Sequence, residues 1–143
     1  MGCDIHFYTE VFKNDNWVTA DDWHPVMKWV LKERYNGRNY VLFGVLAGVR
    51  KDDVPRLSNP RGLPDDVCPQ VADAYENMKD DAHSASFFTL EELLAFNWDQ
   101  EAKAYGITEK LSEHCSDFVE NTIPMLKLLG APENVRIVFW FDN

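Results

Sequence analysis

The stretch Met1-Gly2-Cys3-Asp4-Ile5-His6-Phe7-Tyr8-Thr9-Glu10 reads as a β-strand. Alternation sorts it into an apolar set, Cys3, Ile5 and Phe7, and a polar set, Asp4, His6, Tyr8 and Glu10. One face can pack on a core while the other carries two carboxylates, an imidazole and a phenol in line. A second strand follows: Lys13-Asn14-Asp15-Asn16 is rich in turn formers and precedes Trp17-Val18-Thr19, so a hairpin is predicted. At the far end, Val135-Arg136-Ile137-Val138-Phe139-Trp140-Phe141, ending in Asp142-Asn143, is apolar enough for the middle of a sheet, beside the first strand.

Between these strands the periodicity is helical. Residues 25–34 place Val26, Trp29 and Val30 at helical spacing behind Pro25, which predicts a short helix ended by Asn36-Gly37. Residues 39–50 are apolar almost all round and predict a buried helix. Gly44 and Gly48, four apart, give that helix either a bare face for a close neighbour or a bend. Residues 51–66 read as loop. Within it Pro60-Arg61-Gly62-Leu63-Pro64-Asp65-Asp66 is stiffened by two prolines, and Asp65 or Asp66 can cap a helix from Val67 to Met78. Thr89-Leu90-Glu91-Glu92 matches a capping box, with His83-Ser84-Ala85-Ser86-Phe87-Phe88 as its approach. Thr108 to Gly130 reads as the main amphipathic helix, kinked at Pro124, with His114 solvated between Glu113 and Asp117. The fold class is therefore α+β: one domain over residues 1–143, a small, largely antiparallel sheet with helices on one side.

Composition narrows the function classes. The 143 residues are 45% hydrophobic and carry a formal charge of −10. Residues 1–71 hold 9 basic and 10 acidic side chains and residues 72–143 hold 5 and 14, so the acidity belongs to the C-terminal half. That balance argues against nucleic-acid binding, which needs Lys and Arg to neutralise phosphates. It suits a basic surface on another protein. No membrane-length apolar run and no signal-peptide layout occur, so a soluble protein of the cytoplasm is expected. Cys3, Cys68 and Cys115, odd in number and widely spaced, indicate reduced thiols, buried or half buried, rather than disulfides or a cysteine zinc site.

MGCDIH, NYVLFGVLAGVR, PRGLPDD, HSASFFTLEELL and VRIVFWFDN together resemble a family of small uncharacterised proteins of bacteriophage and bacterial genomes, over almost the whole chain. That family often has Trp after the His-Ser segment, where this chain has Phe87. The resemblance implies a phage or mobile-element setting, with the host cytoplasm as the location. It singles out Asp4, His6, Arg61, His83, Ser84 and Ser86 without giving them roles.

Two functions compete. In the first, a ligand-binding or catalytic site gathers Asp4, His6 and His83, with Glu10, Arg61, Ser84 and Ser86 contacting the ligand. His6 then moves a proton or, with Asp4 and His83, ligates a divalent metal ion, Asp4 orients it, and Arg61 pairs with a small anionic ligand. Any such metal site must be assembled from distant segments, since no HExxH-like spacing is present. In the second, the protein binds and inhibits a host protein through its acidic half, at Glu109, Glu113 or Asp117. Two other readings fail. The H-x-[ST] motifs of two-histidine phosphoesterases need the hydroxyl one residue earlier than His6-Phe7-Tyr8-Thr9 provides, because residues three apart on a strand face opposite ways. Met1-Gly2-Cys3 lacks the Ser or Thr at position 6 of an acylation signal.

Overall fold

The computed structural model describes residues 2–143. Strand β1 (Asp4–Lys13) turns through Asn14 and Asp15 into β2 (Asn16–Thr19). Both turn residues have positive φ, 53° and 66°, the conformation of a two-residue type I′ hairpin, which Asn and Asp tolerate better than bulkier side chains. The chain then runs through a long loop to helix α1 (Tyr40–Ala47), and through a second loop to α2 (Pro69–Glu76). Strand β3 (His83–Thr89) leads directly into α3 (Leu90–Ala95). A separate hairpin, β4 (Glu101–Ala104) and β5 (Ile107–Lys110), precedes the one-turn α4 (Leu111–His114), a π-turn at Phe118–Thr122, α5 (Ile123–Lys127), and the last strand, β6 (Val135–Asp142). The main sheet is antiparallel in the order β2-β1-β6-β3.

The two terminal strands are central, as their composition predicts. Ile5 pairs with Phe141, Phe7 with Phe139 and Thr9 with Ile137. This face meets α1, α3 and the helical segment after β5 in the larger core, where Leu42, Phe43, Leu46, Leu93, Leu111, Phe118 and Leu126 are buried. Gly44 is the point of closest approach: a Cβ there would lie 2.1 Å from the Lys51 carbonyl oxygen, so only glycine lets that backbone in. Gly48, at φ +70°, ends α1 and returns its N–H to the Gly44 carbonyl at 2.8 Å, the left-handed helix stop.

The opposite face is covered as well. Tyr8, Val138 and Trp140 are buried against Cys68 and Val71 from α2 and its approach, together with Leu31 and Ala85, in a second, smaller core. Helices therefore flank both faces of the sheet, and the even-numbered side of β1 is largely interior rather than an open polar surface. Trp140 sits there between Tyr8 and Tyr75, each with its ring centroid at 5.1 Å.

Several local expectations are corrected. Residues 25–34 form no helix; the segment is a loop closed by a bridge between Trp23 and Leu31, in which Leu31 is buried while Val26, Met27, Trp29 and Val30 face no core. Helix α2 starts at Pro69 with Cys68 at its N-cap position, and neither Asp65 nor Asp66 caps it. Residues 83–89, the approach to α3, form an edge strand, bulged at Ser84, whose φ is +58°. The long helix from Thr108 is split, because Ile107–Lys110 pairs with Glu101–Ala104 through a Tyr105-Gly106 turn of positive φ. Further on, Pro124 has no N–H to continue the ladder, and the preceding turn widens so that the Ile123 N–H reaches Phe118 O, a π-type bond. The capping box at Thr89 and Glu92 is present in full.

Candidate protein-interaction site

The predicted polar residues do not converge. His6 pairs with Trp140 and His83 with Phe141. Because successive residues of β6 face opposite ways, the two imidazoles lie on opposite faces of the sheet. Asp4 is held on the rim by Arg38, at 2.7 Å. His83 lies between the Ser84 hydroxyl at 3.1 Å and the Asn143 amide oxygen at 2.5 Å. Among the described residues no group of three or more His, Cys, Asp or Glu is arranged to hold a metal ion.

His6 is bound up in its own carboxylates. Its Nε2 donates to Asp142 Oδ2 at 2.8 Å and its Nδ1 faces Glu33 Oε2 at 3.4 Å, while Glu33 Oε1 accepts the Phe7 N–H at 2.9 Å. The bond to Glu33, aided by Asp142 and opposed by burial, raises its pKa from 6.5 to about 9. At neutral pH it is an imidazolium with both nitrogens committed, unsuited to accepting a proton or ligating a metal. Its work is to tie β1 and β6 to the end of the 22–34 loop.

Glu10 is equally committed. It is fully buried, Oε1 accepting from Arg136 Nε at 2.5 Å and Oε2 from the Cys68 N–H at 2.7 Å. Arg136 also reaches Asp66 at 2.8 Å and lies over the Trp17 ring at 4.1 Å. Cys68 is pushed up to about 12 by burial and its bond to Glu10, and Cys115 likewise to about 12 by burial; all three cysteines are free and buried. Arg61 binds Glu92 through both terminal nitrogens, at 3.0 and 2.6 Å, and stacks over Phe88 at 4.5 Å. Buried Ser86 accepts the Arg61 N–H, and Gly62 donates to Ala85 O at 2.8 Å, so this loop covers the free edge of β3. Ligand contacts expected of Glu10, Arg61, Ser84 and Ser86 are thus internal contacts. The acidic half is also partly structural: Asp117 accepts from Tyr35 Oη at 2.6 Å and Asn39 Nδ2 at 3.0 Å. His114, expected in solvent, is tucked in, with Nε2 donating to Ala102 O at 2.8 Å.

Comparison with protein-family models, with curated proteins and with solved structures finds no match. Among the described residues, no helix is long and apolar enough to cross a membrane.

What the structure does leave outside is the loop between β2 and α1. Trp23 is 51% exposed, Val26 79% and Trp29 77%, and Met27 and Val30 are exposed beside them. Scattered exposed apolar residues are ordinary; here five fall within the eight residues Trp23–Val30, two of them tryptophan, which makes the loop a candidate contact surface. The loop is anchored at both ends. On one side buried Asp21 accepts the Thr9 N–H at 2.8 Å and the Thr9 hydroxyl at 2.5 Å, and also pairs with Arg34 at 2.9 Å. On the other, Glu33 holds His6 and Phe7. Across its neck, Lys32 N–H bonds to Asp22 O at 2.8 Å and His24 N–H to Val30 O at 2.7 Å. At the tip His24 Nδ1 accepts the N–H groups of Val26 and Met27, at 3.2 and 3.0 Å. Between the loop and α2 runs a groove of about 200 Å³ lined by Trp23, Trp29, Val30, Leu31, Gln70, Asp73, Ala74 and Asn77. In the sequence, Val26, Trp29 and Val30 sit at helical spacing and so mimic a core-facing helix; the turn-favouring His24-Pro25 ahead of them was the available sign of a loop.

Proposed function

We propose that this protein acts by binding another protein, with the loop Trp23–Val30 as its contact surface. One observation carries this reading: large apolar side chains stand exposed on a loop whose backbone is fixed by Asp21, His24 and Glu33. A loop held in one shape loses little entropy on binding, so its tryptophans can act as preorganised anchors. A membrane surface fits less well, because the net charge of −10 is repelled by anionic lipid headgroups. The resemblance to small phage and bacterial proteins makes a protein of the bacterial cytoplasm the partner to seek, and its inhibition the consequence to assay.

Affinity capture with three forms of the protein tests this. Wild type and His83→Ala, a change on the sheet face opposite His6, recover the same bacterial protein in equal yield, and Val26→Asp/Trp29→Ser loses it while keeping the wild-type circular dichroism. Recovery of that protein by the loop variant at the wild-type level would overturn the reading.

A further inference from the structure

The groove beside the loop has a definite chemistry. Trp23 and Trp29 line it together with the Asp73 carboxylate and the amides of Gln70 and Asn77. Among the described residues Asp73 forms no ion pair, nor do Asp80 and Asp81 beyond the end of α2, while Lys79 is taken by Glu76 at 3.1 Å. No basic side chain lines the groove. Lys28 does not line it, and Lys32 lines neighbouring cavities instead. Aromatic rings attract cations through their negative faces, and a free carboxylate beside them adds direct Coulomb attraction. An anion entering here would be repelled by Asp73, and a purely apolar group covering Asp73 would take water from that carboxylate without pairing it.

We propose that the groove between the loop and α2 receives a cationic side chain, an arginine or lysine set in an otherwise apolar segment of the partner protein. This rests on the loop being the contact surface, and it names the partner's chemistry. The apolar residues of the segment cover Val26, Met27 and Val30 while its cation enters between the tryptophans and Asp73.

The test uses a short synthetic peptide of leucine and arginine, and a twin with every arginine replaced by glutamate. Each is titrated into the full ¹⁵N-labelled chain while the indole N–H resonances are followed. The arginine peptide shifts Trp23 and Trp29 and leaves the buried Trp98 and Trp140 in place, and its Kd rises with salt. Asp73→Asn, a change on the exposed face of α2, weakens it by about threefold to fivefold, the loss expected for one exposed ion pair. The glutamate twin binds more weakly than the arginine peptide. Equal binding of both peptides at Trp23 and Trp29, unaffected by Asp73→Asn, would overturn the cationic partner and leave the apolar contact surface standing. Absence of any indole shift with the arginine peptide would also overturn it. The contact surface itself falls only if Val26→Asp/Trp29→Ser still captures the partner.

Discussion

Raising the pH through 9 should weaken the fold through one residue, His6. Its side chain is 19% exposed and lies between Glu33 and Asp142, and its pKa rises from 6.5 to about 9. A group held charged by the folded state stabilises it fully below the unfolded pKa, and that contribution is lost as pH rises through the folded one. The window therefore runs from about 6.5 to about 9. The full rise corresponds to about 3 kcal/mol, and solvent at the partly exposed carboxylates screens this to about 1–2 kcal/mol. The assay is urea unfolding of wild type and His6→Gln at about pH 6 and about pH 10. Other groups titrate in both proteins and cancel in the difference. The wild-type advantage should be largest at the lower pH and shrink by about 1–2 kcal/mol at the higher, with the His6 proton resonances titrating near 9. An advantage that does not change with pH, or a midpoint near 6.5, would show that Glu33 and Asp142 do not hold His6 charged.

Gly44→Ala should destabilise the protein by about 1–3 kcal/mol, the cost of overpacking, because its Cβ meets the Lys51 carbonyl and Val54; thermal unfolding measures it. Glu10→Gln should cost about 3 kcal/mol by removing the buried one of Arg136's two carboxylate partners and leaving only the exposed Asp66. The double variant Glu10→Gln/Arg136→Met should lose less than the sum of the single changes, which denaturant titration of all three resolves. Thr89→Ala should cost about 1 kcal/mol through loss of the capping box at α3, read as a lower denaturation midpoint.

The strands that form the sheet's centre were legible because alternation and β-branched or aromatic content agree with their burial. The same holds for the Asn14-Asp15 turn, the buried α1 and the cap at Thr89, each a short-range signal satisfied by its own neighbours. Edge strand β3 was hidden because His83-Ser84-Ala85-Ser86 lacks alternation and pairs only through a bulge. The β4–β5 hairpin was hidden because Thr108-Glu109-Lys110 also suits the start of a helix, and only Tyr105-Gly106 marked the turn. The polar face of β1 was read correctly as alternation but not as environment. Nothing local announces that α2 will cover Tyr8, that Arg136 will neutralise Glu10, or that Glu33 will hold His6, since each partner lies more than twenty residues away. Residues 25–34 were misread for a related reason: helical spacing of apolar residues predicts a face, and whether that face is buried depends on the rest of the chain.

Site-specific photo-crosslinking in bacterial cells tests whether the loop touches another protein. A photoreactive phenylalanine analogue is placed at Trp29, on the loop, and separately at Leu128, an isolated apolar residue that is 87% exposed. Position 29 should give a discrete crosslinked species containing a second, different protein, and position 128 none. Equal crosslinking from both positions, or a species from position 29 containing only a second copy of this chain, would contradict a contact between the loop and another protein.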